Sequence, residues 1–394
     1  MISGETPMNF SRLLLAITFC GISTAASAEI SFLSTIQNRL DEITSNRPSD
    51  HIATRQMKAE KYSRPDTHAP AHLMGAHLHS PDEQMIEYKY MNMSMSGLFN
   101  GQTELTNAQV LDQFPMTMVV PEKMNMEMHM LHYMKGWTDD ITLYVMPMWI
   151  VNTMEMTPYM DNGMGMKMPM ASQRRTNSGF GDLPFGALWR VRSNEEENTE
   201  LILNIGFSAP TGDIDGTTTS PMNPMMQIEY PYPMRLGAGT WMARPGITWN
   251  KYQEDSSVGV QLQTNIALGK SDAGYAPSDT YRLNGWYSKI FSEDKTWAYT
   301  LRMESIWASD FQGVDPQLET MAMGNPPMTI AQMNPAANGS FKGGQFLNFG
   351  YGMIKSLKDG SRLNFEITHP VHQDFHGLQM GTDWTIAASW SKSY

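Results

Sequence analysis

The chain has one cysteine, Cys20, among 394 residues. Disulfide staples and cysteine metal sites are therefore excluded from everything that follows it. Long apolar runs are missing as well. The one that stands out, Leu13 to Cys20, falls far short of the roughly 20 residues a membrane-spanning helix needs. Basic runs are absent and the formal net charge is −12, so nothing in the composition suggests a nucleic-acid partner and none is expected. No serine stands in a recognisable nucleophile context, even near His369, His372 and Asp374, and the expectation is that the protein is not an enzyme.

What is present points to a bacterial envelope. Arg12 precedes the short apolar run, and small residues follow it as far as Ala26-Ser27-Ala28. That order is a secretory signal peptide over residues 1–28, cleaved after Ala28, with Met8 as the expected start. Phe19 is too bulky to precede a lipidated cysteine. Residues 29–83 read as an N-terminal periplasmic segment. Phe32, Ile36, Leu40 and Ile43 predict one short amphipathic helix there, and the remainder is polar and irregular.

From Gln84 onward the apolar period is two. Val258, Val260, Leu262 and Ile266 oppose Gly259, Gln261, Gln263 and Asn265. Leu301 and Met303 oppose Arg302 and Glu304, and Leu363, Phe365 and Ile367 oppose Arg362, Asn364 and Glu366. About twelve strands follow, near 84–96, 122–135, 140–151, 178–193, 199–209, 236–251, 256–269, 279–291, 296–309, 342–355, 361–370 and 379–394. Tight connections around Gly136, Glu196, Glu254, Glu293 and Asp359 alternate with longer ones at 97–121, 152–177, 210–235, 270–278, 310–341 and 371–378. Such alternation with an even strand count predicts an all-β chain whose residues 84–394 form a transmembrane antiparallel β-barrel in the outer membrane. At the end of the chain, Trp384, Ile386, Ala388, Trp390 and Tyr394 share one parity. A terminal aromatic strand of this kind is similar to the signal read by the barrel-assembly machinery, which makes that machinery and outer-membrane lipid the expected partners.

Methionine is abundant, at 36 residues. In MNMEMHMLHYM, Met124, Met126, Met128 and Met130 share a parity with His132 and Met134. A helix would scatter these residues and a strand collects them on one side. With Asn125, Glu127 and His129 opposite, the methionines are expected to face lipid. The polar parity then gives candidate pore residues Glu127, Arg190, Arg244, Arg302, Glu304, Arg362 and Glu366. Such side chains select solutes in an aqueous lumen, or pair and fill a narrow barrel. Met91, Met93 and Met95 share parity with Glu87 and Lys89, which points them inward near the outer mouth.

Other methionines fall in predicted outer loops: Met154, Met156, Met160, Met164, Met166, Met168 and Met170. Thioethers are soft ligands suited to Cu(I) or Ag(I), and equally they are adaptable packing groups. Two histidine clusters, one with His77 and His79 and one with His369, His372 and His376 beside Asp374, have donors suited to zinc or Cu(II). Turn and interface roles are the alternative for both.

HAPAHLMGAHLHSPDEQMIEYKYM, SGFGDLPFGALWRV, FSAPTGDI, YPMRLGAGTWMARPGITW and DFHGLQMGTDWTIAASWS carry a resemblance. From about His68 to the C-terminus the chain resembles the transporter-like outer-membrane proteins grouped with the meta-pathway phenol-degradation family. That likeness implies an outer-membrane barrel transporting small, hydrophobic molecules, and it supplies no catalytic motif. The expected function is thus an outer-membrane channel or transporter for small solutes. The alternative is an outer-surface copper- or silver-handling protein that uses the methionine-rich loops.

Overall fold

The computed structural model describes residues 64–162, 166–323 and 328–394. The signal peptide and the helix expected over 32–43 lie outside the described residues.

Twelve antiparallel staves close a barrel. In chain order they are β1 (Gln84–Gly101), β2 (Val119–Gly136), β3 (Ile141–Val145, continued by Met148–Asp161) and β4 (Gln173–Phe180, continued by Leu183–Asn194). There follow β5 (Thr199–Ala209), β6 (Met242–Ala243, continued by Gly246–Tyr252), β7 (Ser256–Ala267), β8 (Thr280–Ile290), β9 (Trp297–Ala308) and β10 (Gly344–Ser356). The last extended run, Ser361–Ser393, supplies two staves. Residues 362–375 register on β10 as β11, and residues 378–393 register on β1 as β12. Gly377 lies between them at φ 79°, a conformation that a side chain with a Cβ rarely adopts. Pairing of β1 with β2, from Gln84↔Lys135 to Ser96↔Lys123, closes the ring. Closure pairs the backbone groups of every stave and leaves no edge for lipid to meet.

The tight connections fall where the polarity pattern places them, at 136–141, 194–199, 252–256, 290–297 and 356–361. The long connections gather at the other end. One expectation about them needs correction. Residues 152–161 and 173–177 are not loop: β3 runs to Asp161 and β4 starts at Gln173, so the methionine-rich stretch is largely strand and hairpin. Pro158 is accommodated at the last rung with β2, and Asp161 at the last rung of the rim hairpin, opposite Lys167, where few hydrogen bonds remain to be lost.

Outward-facing side chains form an apolar band toward the tight-turn end. Leu131, Leu143, Trp249, Val260, Leu283, Leu301, Phe365 and Trp390 are all exposed on it. In water so large an apolar surface would be a liability, whereas in a bilayer it is the stabilising contact.

The lipid-facing assignment of Met124, Met126, Met128 and Met130 is overturned. Register aligns Tyr88 with Leu131, Asn92 with Glu127, Ser94 with Asn125 and Ser96 with Lys123 on the outer face. Met91 pairs with Met128, Met93 with Met126 and Met95 with Met124 on the inner face. Glu127 is accordingly on the outer surface, not in the lumen. Length explains the inversion. A strand crosses the hydrocarbon in about 9–11 residues, and β2 has 18. The excess length stands beyond the apolar band, where the outer face is wet and the inner face packs against folded-in loops.

Residues 64–83 cross the barrel interior near the tight-turn end. Asn364 on β11 donates to the Ala69 carbonyl (3.0 Å), Gln261 on β7 to that of Met74 (2.9 Å) and Asn250 on β6 to that of Ala76 (2.8 Å). Lys89 on β1 donates to the Leu73 carbonyl (3.3 Å), and the His79 amide donates to Thr142 on β3 (2.9 Å). Partners on five staves around the ring satisfy a backbone that has no ladder of its own.

Gly136 shows how closely this segment is seated. A Cβ there would lie 1.9 Å from the Ser80 carbonyl oxygen. Gly136→Ala is expected to cost about 1–3 kcal/mol, as overpacking does elsewhere, read as a lower urea midpoint for the refolded barrel. An unchanged midpoint would show that Ser80 moves aside freely.

Candidate functional site

Above the crossing segment the lumen holds a cavity of about 490 Å³, the size of a small-molecule site. Its two walls differ in chemistry. Met91 and Met93 from β1, Met128 and Met130 from β2, and Met146 and Met148 at the break in β3 make one wall. Opposite stand Arg244, Gln261, Gln263, Asn265, Arg282 and Asn284, with Glu304 and Asn348 beyond them. Strand alternation produces both walls, since each stave sends every second side chain inward. The floor is His72 to Gly75 of the crossing segment.

Most charges on the polar side are paired, and Arg244 is held by a neutral amide. Arg302 donates to Glu366 (2.6 Å), to Asn284 Oδ1 (2.8 Å) and to Thr368 Oγ1 (3.0 Å), and both members of the ion pair are buried. Glu366 also accepts from the His72 amide (2.9 Å), which ties the crossing segment to the network. Glu304 accepts from Arg282 (3.3 Å) and Asn348 (3.0 Å). Arg244 donates to Asn265 Oδ1 at 2.9 Å. Nearer the tight turns, Arg190 meets Asp140 (3.3 Å) and Glu200 (3.4 Å), and Tyr252 donates to the same Glu200. Arg362 sits against the His68 ring at 3.4 Å.

The other end of the cavity is roofed by long connections. Met234 and Ala336 from two of them pack on Val119, Met124, Met154 and Met156 of the wall, with Met95, Met126, Met222 and Met380 around the same cluster. Arg235 pins the roof. It binds Asp315 (2.6 Å) and Glu229 (2.8 Å) and lies over the Tyr232 and Tyr275 rings. Burial and the neighbouring Asp315 raise the Glu229 carboxyl to about 7. Folded Glu229 therefore holds a proton that the unfolded chain releases near 4.5. Its contribution to roof closure is present below that value and is lost as pH rises toward 7. Loop proteolysis of the refolded protein is expected to accelerate from pH 5 to pH 7.5, and Glu229→Gln is expected to remove the dependence. A pH-independent wild type would overturn this.

Of the residues singled out from the sequence, Arg244 and Glu304 line the cavity, Arg302 and Glu366 buttress it, and Arg190 and Arg362 lie below it. Met154 and Met156 are buried in the roof cluster, whereas Met160, Met166, Met168 and Met170 are exposed on the rim hairpin. Met164 lies outside the described residues. His77 and His79 stand inside the barrel, with ring centroids 4.9 Å for His68–His77 and 5.1 Å for His77–His79. His369 stacks on Tyr351 on the outer surface, His372 is exposed, and His376 faces Asp310 at 3.3 Å, so these three do not converge. Among the described residues no group of three or more His, Cys, Asp or Glu side chains is placed to hold a metal. Sequence reasoning missed Met128, Met130, Met146, Met148, Arg282 and His132. The signal available was the pairing of Met91, Met93 and Met95, inward by parity, against Met128, Met126 and Met124.

Comparison with known proteins agrees with this architecture. The chain is similar in fold to an outer membrane channel from Pseudomonas putida F1, at 12% identity and TM-score 0.52, over 81% of this chain and 98% of that one. It also overlaps the P. putida toluene transporter TodX, at 8% identity and TM-score 0.38, over 85% of this chain and 97% of that one, a likeness too loose to argue from. Among curated proteins nothing matches. The model of the family described as "Putative MetA-pathway of phenol degradation" matches residues 113–311, from the end of the first long loop to just past β9. The chain belongs to that family, and it folds as a transmembrane antiparallel β-barrel of the outer-membrane kind.

Proposed function

We propose that the protein is an outer-membrane channel for small amphipathic solutes, with its tight turns in the periplasm and its long loops outside. The two-walled cavity is the observation that carries the reading. Unbranched, polarizable methionine side chains on β1–β3 offer an adaptable apolar surface, and the amides and guanidinium groups opposite offer hydrogen bonds. A solute with an apolar body and one polar or anionic group satisfies both walls at once. A fully polar sugar leaves the methionine wall unmatched, and a plain hydrocarbon leaves Arg244 and Asn265 without a new partner. The loop-end roof and the N-terminal crossing segment narrow the path at each end, so passage requires one or both to shift.

Permeability of vesicles carrying the refolded mature chain tests the reading. Uptake of a monoaromatic carboxylate is expected to exceed that of a sugar of similar size. Met128→Trp, which fills the cavity from the apolar side, is expected to lower uptake of the aromatic severalfold with the barrel still folded. Vesicles no leakier than protein-free ones, with folding verified by gel mobility, would sink the channel assignment.

A further inference from the structure

Methionine is not spread evenly over this barrel. Within the apolar band, the exposed large side chains of the wall are Leu, Ile, Val, Phe, Tyr and Trp, with methionine only at Met303 and Met353 among the described residues. On the inner face of three adjacent staves it is the usual residue. Met95, Met124 and Met154 are in register across β1, β2 and β3 and form one row. The pairs Met93–Met126 and Met91–Met128 continue the rows inward, and Met130–Met148 is reached in the cavity.

A drift in composition would place methionine on both faces of a strand, and here one face is selected. Packing alone does not account for the rows that reach the cavity either. Met91, Met93 and Met128 border open cavity, where nothing remains to be filled. Same-face partners on neighbouring strands have Cβ atoms about 4.5–5.5 Å apart, and a methionine reaches beyond that on three rotatable bonds. Three sulfurs can therefore meet on one ion. Met124 and Met154 are 3% and 1% exposed, so two members of that row lie away from bulk water, and Met95 is half-buried beside them. Met126 and Met380 belong to the same packed cluster and supply spare donors.

Neutral thioethers bind soft monovalent ions and discriminate against hard, oxygen-seeking cations. We propose that Met95, Met124 and Met154 form a thioether site for Cu(I) or Ag(I) at the outer end of the lumen, and that the methionine rows below it are positions to which the ion exchanges. Binding needs only the fold. Passage of the ion rests on the channel reading, and the two are measured separately.

The test is a competition titration of Cu(I) against a chromophoric chelator, under anaerobic reducing conditions, on the refolded mature chain in detergent. Ag(I) calorimetry repeats it without redox chemistry. Wild type is expected to withdraw Cu(I) from the chelator and to be indifferent to Zn(II). The triple variant Met95→Leu/Met124→Leu/Met154→Leu keeps the apolar volume and is expected to lose at least about tenfold in affinity, the lower end of what removing even an outer-shell partner costs a metal site. Met303→Leu/Met353→Leu, on the lipid face, is expected to change nothing, and heat-modifiable gel mobility verifies that each variant is folded. The proposal is overturned if wild type fails to compete, or if the luminal triple binds as tightly as wild type. It is equally overturned if Met160→Leu/Met166→Leu/Met168→Leu on the rim abolishes binding while the luminal triple does not. Should Cu(I) bind and the vesicles prove impermeable, the site stands and the channel reading falls.

Discussion

Glu366→Ala is expected to lower the unfolding free energy of the barrel by about 3 kcal/mol, near the low end of the range for breaking a buried ion pair. Two losses combine in it. Arg302, 1% exposed, loses a carboxylate 2.6 Å away, and the His72 amide of the crossing segment loses its acceptor. The effect is placed at the low end because Glu304 remains 3.4 Å from Arg302, and Asn284 and Thr368 still accept from it. Glu366→Gln keeps the shape and part of the hydrogen bonding, so a smaller loss is expected. Urea titrations of protein folded in lipid vesicles, followed by tryptophan fluorescence and gel mobility, measure both. A loss under about 1 kcal/mol, typical of solvent-exposed pairs, would mean that lumen water screens the contact and that the network does not anchor the segment.

Removal of residues 29–79 is expected to raise single-channel conductance severalfold. Within that segment, residues 64–79 lie across the lumen, and their carbonyls occupy Asn364, Gln261, Asn250 and Lys89. Without it these side chains face water, which satisfies them, and the floor of the cavity opens. The deletion also takes a partner from Glu366, so its stability is measured alongside. A second variant avoids that loss: Asn250→Ala/Gln261→Ala/Asn364→Ala keeps the segment and removes three of its tethers. Frequent full-size openings in that variant would identify a displaceable plug. Unchanged conductance in both, with folded protein, would place the restriction in the Arg235-pinned roof instead.

The methionines show where local reading succeeds and where it stops. Period two along MNMEMHMLHYM identified the strand, and the same period set Glu366 and Arg302 opposite the apolar face of β11 and β9, where both are buried. Those staves have apolar outer faces and polar inner ones along the residues read. On β2 the same rule assigned the wrong side. Near Leu131 and Tyr133 the outer face is apolar, but by Lys123, Asn125 and Glu127 it has left the bilayer. Beyond that boundary the wall obeys the rule of a soluble protein, polar out and apolar in. Amphipathicity tells that two faces differ, not which solvent each meets.

Sequence alone determined the fold class, the alternation of tight and long connections and the parity of each stave, because all three follow from spacing between neighbouring residues and from turn-forming composition. It also contained the methionine bias as a bare abundance. Only the tertiary structure decided which parity is the lumen at the loop end and that residues 64–83 cross the interior. It alone gathered methionines from four staves and one loop into one cluster. Each of these depends on contacts between residues far apart in the chain, and on where along an 18-residue strand the hydrocarbon ends, and neither quantity is written in any local stretch.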